Sequence, residues 1–197
     1  MMDTLLQALR PLSAPPEGPA WNHAEMNEWL GEQARLPAAV LLGIREGVQP
    51  RLVFTVRDAR LPAHAGQVAF PGGRSEPRDA DAVDTALRES EEEIGLDRAL
   101  VKPLGFLDRF ETISGYCVTP VVASIAAEAR LYPSPDEVAE VFEVPLTFLF
   151  DPANLRRYMM EFRGQQRPMV EFVHAGHRIW GATAAMLCNL LERMDRT

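Results

Sequence analysis

The sequence predicts a mixed α/β domain preceded by a short helical appendage, and three observations carry that prediction. Short apolar runs rich in Val, Leu and Phe, bounded by Gly, Pro and Asp, dominate the middle of the 197-residue chain. One amphipathic, strongly acidic segment interrupts them after a PGG triplet, and a second amphipathic stretch closes the chain. The length suits one domain, or one domain with an appendage, and leaves enough residues for a sizeable core.

Residues 1–36 read as the appendage: MDTLLQALR is a short amphipathic helix, SAPPEGP a breaker and WNHAEMNEWLGEQAR a second helix. Residues 37–197 then read as the main domain. AAVLLGI and RLVFTV are strands joined by the turn-like REGVQP, and the polar loop RDARLPAHAG leads into QVAF and then PGG. DADAVDTALRESEEEIG is a helix whose first aspartates can cap amide ends and whose Gly95 ends it. VKPLGFLDRF and YCVTPVVASIA are strands separated by ETISG, and DEVAEVFEVPLTFLF is a strand turning at Pro145 into a short helix. RRYMMEF and PMVEFVHAG are strands ahead of a final amphipathic helix through WGATAAMLCNLLERM.

Composition narrows the function. The formal charge of -8 argues against a protein that coats nucleic acid, because a polyanion needs a clustered basic surface. It is compatible with holding divalent cations. Lys102 is the only lysine, so phosphate contacts would use guanidinium forks. Cys117 and Cys188 lack the spacing of a zinc site or a disulfide framework and read as buried thiols. The N-terminus has no basic-then-apolar leader pattern, and no run approaches the roughly 18–20 apolar residues of a membrane span. The expectation is a cytoplasmic protein with no membrane partner.

The stretch RESEEEIG, residues 88–95, carries the chemistry. At about 100° per residue, Val83, Ala86, Leu87, Ser90 and Ile94 form a packing stripe, while Glu89, Glu92 and Glu93 gather on the opposite side and Glu91 points elsewhere. Their repulsion, with the negative end of the helix dipole, costs about 1–2 kcal/mol, part of it relieved by Arg88 one turn before Glu92. Taken alone, the pattern is either a solvated acidic face or a seat for Mg²⁺ or Mn²⁺, which favour hard oxygen ligands. The paired glycines of FPGG at fixed spacing upstream favour the second, since backbone there can approach a metal or a phosphate closely.

These residues resemble the Nudix hydrolase signature, G-x5-E-x7-R-E-U-x-E-E-x-G-U with U a bulky aliphatic residue. The segment from Arg88 to Leu96 matches except that Ser90 replaces an aliphatic. Asp79 stands where a glutamate is expected, and eight residues instead of seven separate it from Arg88. Upstream, LVFTVRDARLPAHAGQVAFPGG is similar to the extra motif of the coenzyme A pyrophosphatase subfamily. Thr55, Arg57, Gly66 and Phe70–Gly73 fall in register, Asp58 replaces a small residue, and Pro62 replaces the second arginine. The resemblance covers roughly residues 37–190.

It implies a Nudix-type mixed β-sheet sandwiched between helices. It also implies Mg²⁺ or Mn²⁺ held by Glu89, Glu92, Glu93 and a backbone carbonyl of Gly73 or Gly72, with Arg88 orienting the carboxylates. The general base would be Glu89 or a distant glutamate, Glu137 ahead of Glu111. Arg57, Arg60, Arg74 and Gly72 are the expected substrate contacts, with His64, Tyr116 and Phe110 as lesser candidates. The implied reaction converts coenzyme A or acyl-CoA to 3′,5′-ADP and (acyl-)4′-phosphopantetheine. The alternatives are a Nudix pyrophosphatase acting on ADP-ribose or nucleoside triphosphates, and a non-catalytic nucleotide-binding module. The partner is a small nucleotide substrate, with a homodimer left open.

Overall fold

The computed structural model describes residues 2–62, 64–162 and 164–196. Its helices are α1 (Met2–Ala8), α2 (His23–Leu30), α3 (Ala82–Ile94), α4 (Leu146–Leu149) and α5 (Gly181–Met194). The first strands are β1 (Leu36–Arg45), β2 (Arg51–Arg57), β3 (Val68–Ala69), β4 (Gly72–Arg74), β5 (Val101–Phe106) and β6 (Phe110–Glu111). The remainder are β7 (Tyr116–Ile125), β8 (Val138–Pro145), β9 (Arg156–Phe162), β10 (Gln165–His174) and β11 (His177–Trp180).

Side chains alternate across a strand, so one apolar run can serve two cores. In β1, Ala38, Leu42 and Ile44 enter one core while Ala39 and Leu41 enter the other. Leu52 and Phe54 of β2 and Val118 and Val122 of β7 join the first; Val53, Val121, Ala123 and Ile125 join the second. Burial on both faces explains why these strands read as nearly continuous apolar runs. Helix α3 covers the second core with Ala86 and Ile94, and α5 covers the first with Leu187 and Leu190. The expected mixed sheet between helices is present.

The main sheet runs β3-β2-β1-β7-β5, with β4 also pairing with β1, β6 with β7 and β8 with β2. β1 and β7 are parallel from Leu36↔Tyr116 to Arg45↔Ile125, and their crossover contains α3, as a parallel pair requires. β9, β10 and β11 make a separate antiparallel sheet. No helix is long and apolar enough to cross a membrane among the described residues.

The N-terminal helices lie against the rest of the chain. Leu5 is fully buried in the first core, and Arg10 and Phe106 exchange two backbone hydrogen bonds of 2.9 Å. Both helices are shorter than expected: α1 stops at Ala8, and α2 stops at Leu30 before Gly31, whose φ of 68° leaves the helical region. LDRF does not extend β5, because Asp108 turns aside to ion pairs with Arg10 (2.7 Å) and Arg193 (3.1 Å). Trp180, expected to begin the last helix, instead ends strand β11 (His177–Trp180), to whose first three residues the sequence assigned no element. Ala175 (φ 48°) and Gly176 (φ 86°) make the two-residue turn that pairs His174 with His177. Gly72 and Gly73 of PGG lie in strand β4, opposite Val40 and Ala39.

Candidate active site

Helix α3 has the boundaries its sequence specifies. The Asp81 carboxylate accepts the Asp84 N–H, and Gly95 closes the helix with φ 61°. Ser90, the departure from an aliphatic, is fully buried, and its hydroxyl donates to the Ala86 carbonyl at 2.7 Å. The polar substitution is therefore satisfied locally.

Arg88 is the hub. Its guanidinium donates to both oxygens of Asp79 at 2.8 and 3.0 Å, to Glu92 at 3.0 Å and to the Arg74 carbonyl at 3.0 Å. It also pairs with Glu89 at 2.9 Å. Arg88 and Asp79 are both buried, and the arginine holds the Asp79 carboxyl well below the usual carboxylate range. The extra residue between them is absorbed ahead of the helix, where Asp79 also accepts the Glu76 N–H (2.8 Å) and the Thr85 hydroxyl (2.9 Å).

The glutamates do not form one solvated face. Glu92 is half exposed and shared between Arg88 and Arg78. Glu93 is only 5% exposed, because β4 packs beside it, and its carboxylate accepts the Gly72 N–H at 3.0 Å. Glu91 faces away and pairs with Arg98. Gly73 lies directly under Glu89: a Cβ there would come within 2.6 Å of its carboxyl.

Burial pushes the Glu93 carboxyl up to about 7, with the charges of Glu89 and Glu137 adding to the rise and the Gly72 N–H and Arg57 opposing it. Burial likewise raises Glu89, against the pull of Arg88. Arg57 and Glu137 thus both lie within electrostatic reach of Glu93. Backbone bonds from Tyr132 N–H to Ile94 and from Ser134 N–H to Glu93 fasten the Glu137 loop to the end of α3, and Asp58 N–H donates to the Glu137 carbonyl. The Arg57 Nε is buried without a hydrogen-bond partner.

The family model of the NUDIX domain matches residues 34–163. The chain belongs to the Nudix hydrolase family. It is 44% identical over 162 residues to the uncharacterized Nudix hydrolase NudL of Pectobacterium atrosepticum, covering 81% of this chain and 83% of that one. The NudL of Photorhabdus laumondii is 40% identical over 158 residues, covering 80% and 84%. In fold the chain is similar to the Nudix hydrolase RenU from M. smegmatis, with TM-score 0.54, 19% identity, and coverage of 83% and 88%. It is likewise similar to the MutT protein from Methanosarcina mazei, with TM-score 0.51, 20% identity, and coverage of 84% and 96%.

Nudix hydrolases use divalent metal ions, and the donors on α3 suit one. Glu89 and Glu93 are hard oxygen ligands, partly or fully buried; burial raises both, neighbouring carboxylates add to it (Glu92 and Glu137 at Glu89, Glu89 and Glu137 at Glu93), and a cation would relieve them. Among the described residues no three His, Cys, Asp or Glu side chains converge closely enough to hold an ion. Each of the three glutamates is engaged within the protein instead: one Nη of Arg88 bridges Glu89 and Glu92, Arg78 takes the other Glu92 oxygen, and the Gly72 N–H holds Glu93.

Other residues of this Nudix domain sit differently from expectation. Arg60 is exposed and turned onto Asp58 (2.8 Å) and the Pro135 carbonyl. The Arg74 side chain is exposed, and only its carbonyl joins the Arg88 cluster. Glu111, the second candidate for the distant base, is buried, with one oxygen on His23 Nδ1 (2.6 Å) and the other on Arg35 Nε (3.2 Å), fastening α2 to β6. Phe110 is buried against Trp21, the Tyr116 side chain packs on the first core, and His64 bonds Gln67 in its loop. Cys117 and Cys188 are half-buried free thiols, and burial raises both. Thr85 and Arg78, absent from the sequence reading, hold Asp79 and Glu92; no local motif marks either.

Proposed function

We propose that the chain is a divalent-metal-dependent hydrolase of nucleoside diphosphate-linked compounds, with coenzyme A or acyl-CoA as substrate and 3′,5′-ADP and (acyl-)4′-phosphopantetheine as products. The observation that carries this reading is Arg57, whose buried Nε has no partner while its charge acts on Glu93. A guanidinium so placed can dock a phosphate beside the carboxylates of α3. The upstream motif shared with coenzyme A pyrophosphatases, Thr55 to Gly73, contains it.

Glu89, Glu92, Glu93 and the Gly73 carbonyl would hold Mg²⁺ or Mn²⁺. Bound there, the ion would polarise phosphoryl oxygens and lower the pKa of water. Water attacks one phosphorus, a P–O bond forms, the bridging P–O bond breaks, and the water proton passes to Glu137 or Glu89. Arg88 restrains the carboxylates through its bonds to Asp79, Glu89 and Glu92. Arg57 steadies the pyrophosphate.

A second reading, a Nudix pyrophosphatase for ADP-ribose or nucleoside triphosphates, is favoured by one observation. Arg60, the neighbour that would replace the arginine lost at Pro62, is engaged by Asp58. A panel of CoA, acyl-CoA, ADP-ribose, NADH and dNTPs with Mn²⁺, read by product mass, separates the two. Cleavage of CoA into the two named products is expected, and preference for another member overturns the CoA assignment. Glu92→Gln should abolish turnover while leaving the fold intact, and retained activity would displace the proposed site.

A further inference from the structure

The outer edge of the three-stranded sheet has a self-complementary charge pattern. β9 is the last strand of that sheet: β10 bonds it along one edge, and no strand pairs with the other among the described residues. An unpaired edge is a template for another chain unless proline, bulges or like charges block it. β9 reads RRYMMEF, without proline or glycine, and its pairing with β10 has no register shift from Arg156↔Glu171 to Phe162↔Gln165. Arg157, Met159 and Glu161 alternate along it, all exposed, with Met159 59% exposed. Neither the Arg157 nor the Glu161 side chain makes a hydrogen bond or ion pair within the protomer among the described residues.

We propose that β9 pairs antiparallel with β9 of a second copy of this chain, in the register that sets Met159 opposite the partner's Met159. Arg157 then faces the partner's Glu161, and Glu161 the partner's Arg157, so a two-fold contact makes two ion pairs around a Met–Met centre. Tyr158 meets the partner's Met160 on the other face. Two-fold pairing keeps each face of the strand against itself, so the alternative registers can be enumerated. Centring on Arg157 opposes two arginines, and centring on Glu161 opposes two glutamates. Centring on Tyr158 or Met160 gives neither charge an opposite partner. The charges therefore select Met159.

The pairing joins two three-stranded sheets into one continuous sheet. A strand of seven residues buries less than the roughly 1,200–2,000 Å² of a stable assembly, so the dimer is reversible and forms with concentration. It is independent of the catalytic reading.

Sedimentation velocity across a concentration series tests it. The mass of the native chain should rise from one chain toward two with concentration. Arg157→Glu and Glu161→Arg should each remain monomeric, because each sets like charges face to face. The double variant R157E/E161R restores opposite charges and should dimerise again. Met159→Cys should give a disulfide-linked dimer on oxidation that the native chain, with Cys117 and Cys188, does not. A native chain that stays monomeric at every soluble concentration would overturn the proposal, as would a dimer indifferent to either charge reversal or a double variant that fails to recover.

Discussion

Glu93 shows how one residue couples protons to folding. Its carboxyl is pushed up from 4.5 to about 7 by burial. Between those values the folded chain keeps a proton that the unfolded chain has released. The stabilisation is complete below the lower value and is lost as pH rises through the upper one, amounting to about 3 kcal/mol at most. Glu93→Gln, a neutral isostere that can still accept the Gly72 N–H, should therefore gain stability relative to the native chain as pH rises across that window. Urea denaturation of both proteins in metal-free buffer measures it, and a difference that does not change with pH would show that Glu93 is not desolvated. The helical wheel separated Glu91 from the other glutamates. It did not show that Glu93 is buried, because a wheel contains only the helix's own geometry and the covering atoms belong to β4.

At the level of elements, the two glycines of β4 have separable roles. A Cβ at Gly72, where φ is +148°, would lie 2.4 Å from the Ala39 carbonyl, so backbone must move. At Gly73 it would meet the end of the Glu89 side chain, which can turn away. Gly72→Ala should lower stability by on the order of 1–3 kcal/mol, whereas Gly73→Ala should leave the melting temperature nearly unchanged and depress turnover. Thermal melts alongside a pyrophosphatase assay check both, and equal loss of stability in the two variants would contradict this division. From sequence the paired glycines of PGG signalled a close backbone approach, without showing that they form a strand. Their pairing with β1 is long-range and leaves no local signal. The ends of α3, by contrast, were legible from Asp81 and Gly95, since caps act through neighbouring backbone.

Across the whole molecule, the N-terminal segment closes the core beneath α5. Leu5 is fully buried among residues of β1, β2, β7 and α5, so Leu5→Ala should cost about 2–5 kcal/mol in chemical denaturation. A loss below 1 kcal/mol, about the worth of a surface change, would mean that residues 1–36 behave as the detachable appendage their sequence suggests. Glu137 and Arg57 likewise come within electrostatic reach of Glu93 only in the fold, the first on a loop tied to the end of α3 and the second as the last residue of β2. By itself the sequence determined the apolar strands, the limits and packing stripe of α3, and the set of carboxylates with Arg88 among them. All of these follow from periodicity and spacing along one stretch of chain. Only the tertiary structure decided which glutamate loses water, that Asp58 and the Pro135 carbonyl engage Arg60, that Glu111 anchors α2, and that β9 presents an open edge. Desolvation and the choice of partner depend on residues far apart in sequence, and folding alone brings them together.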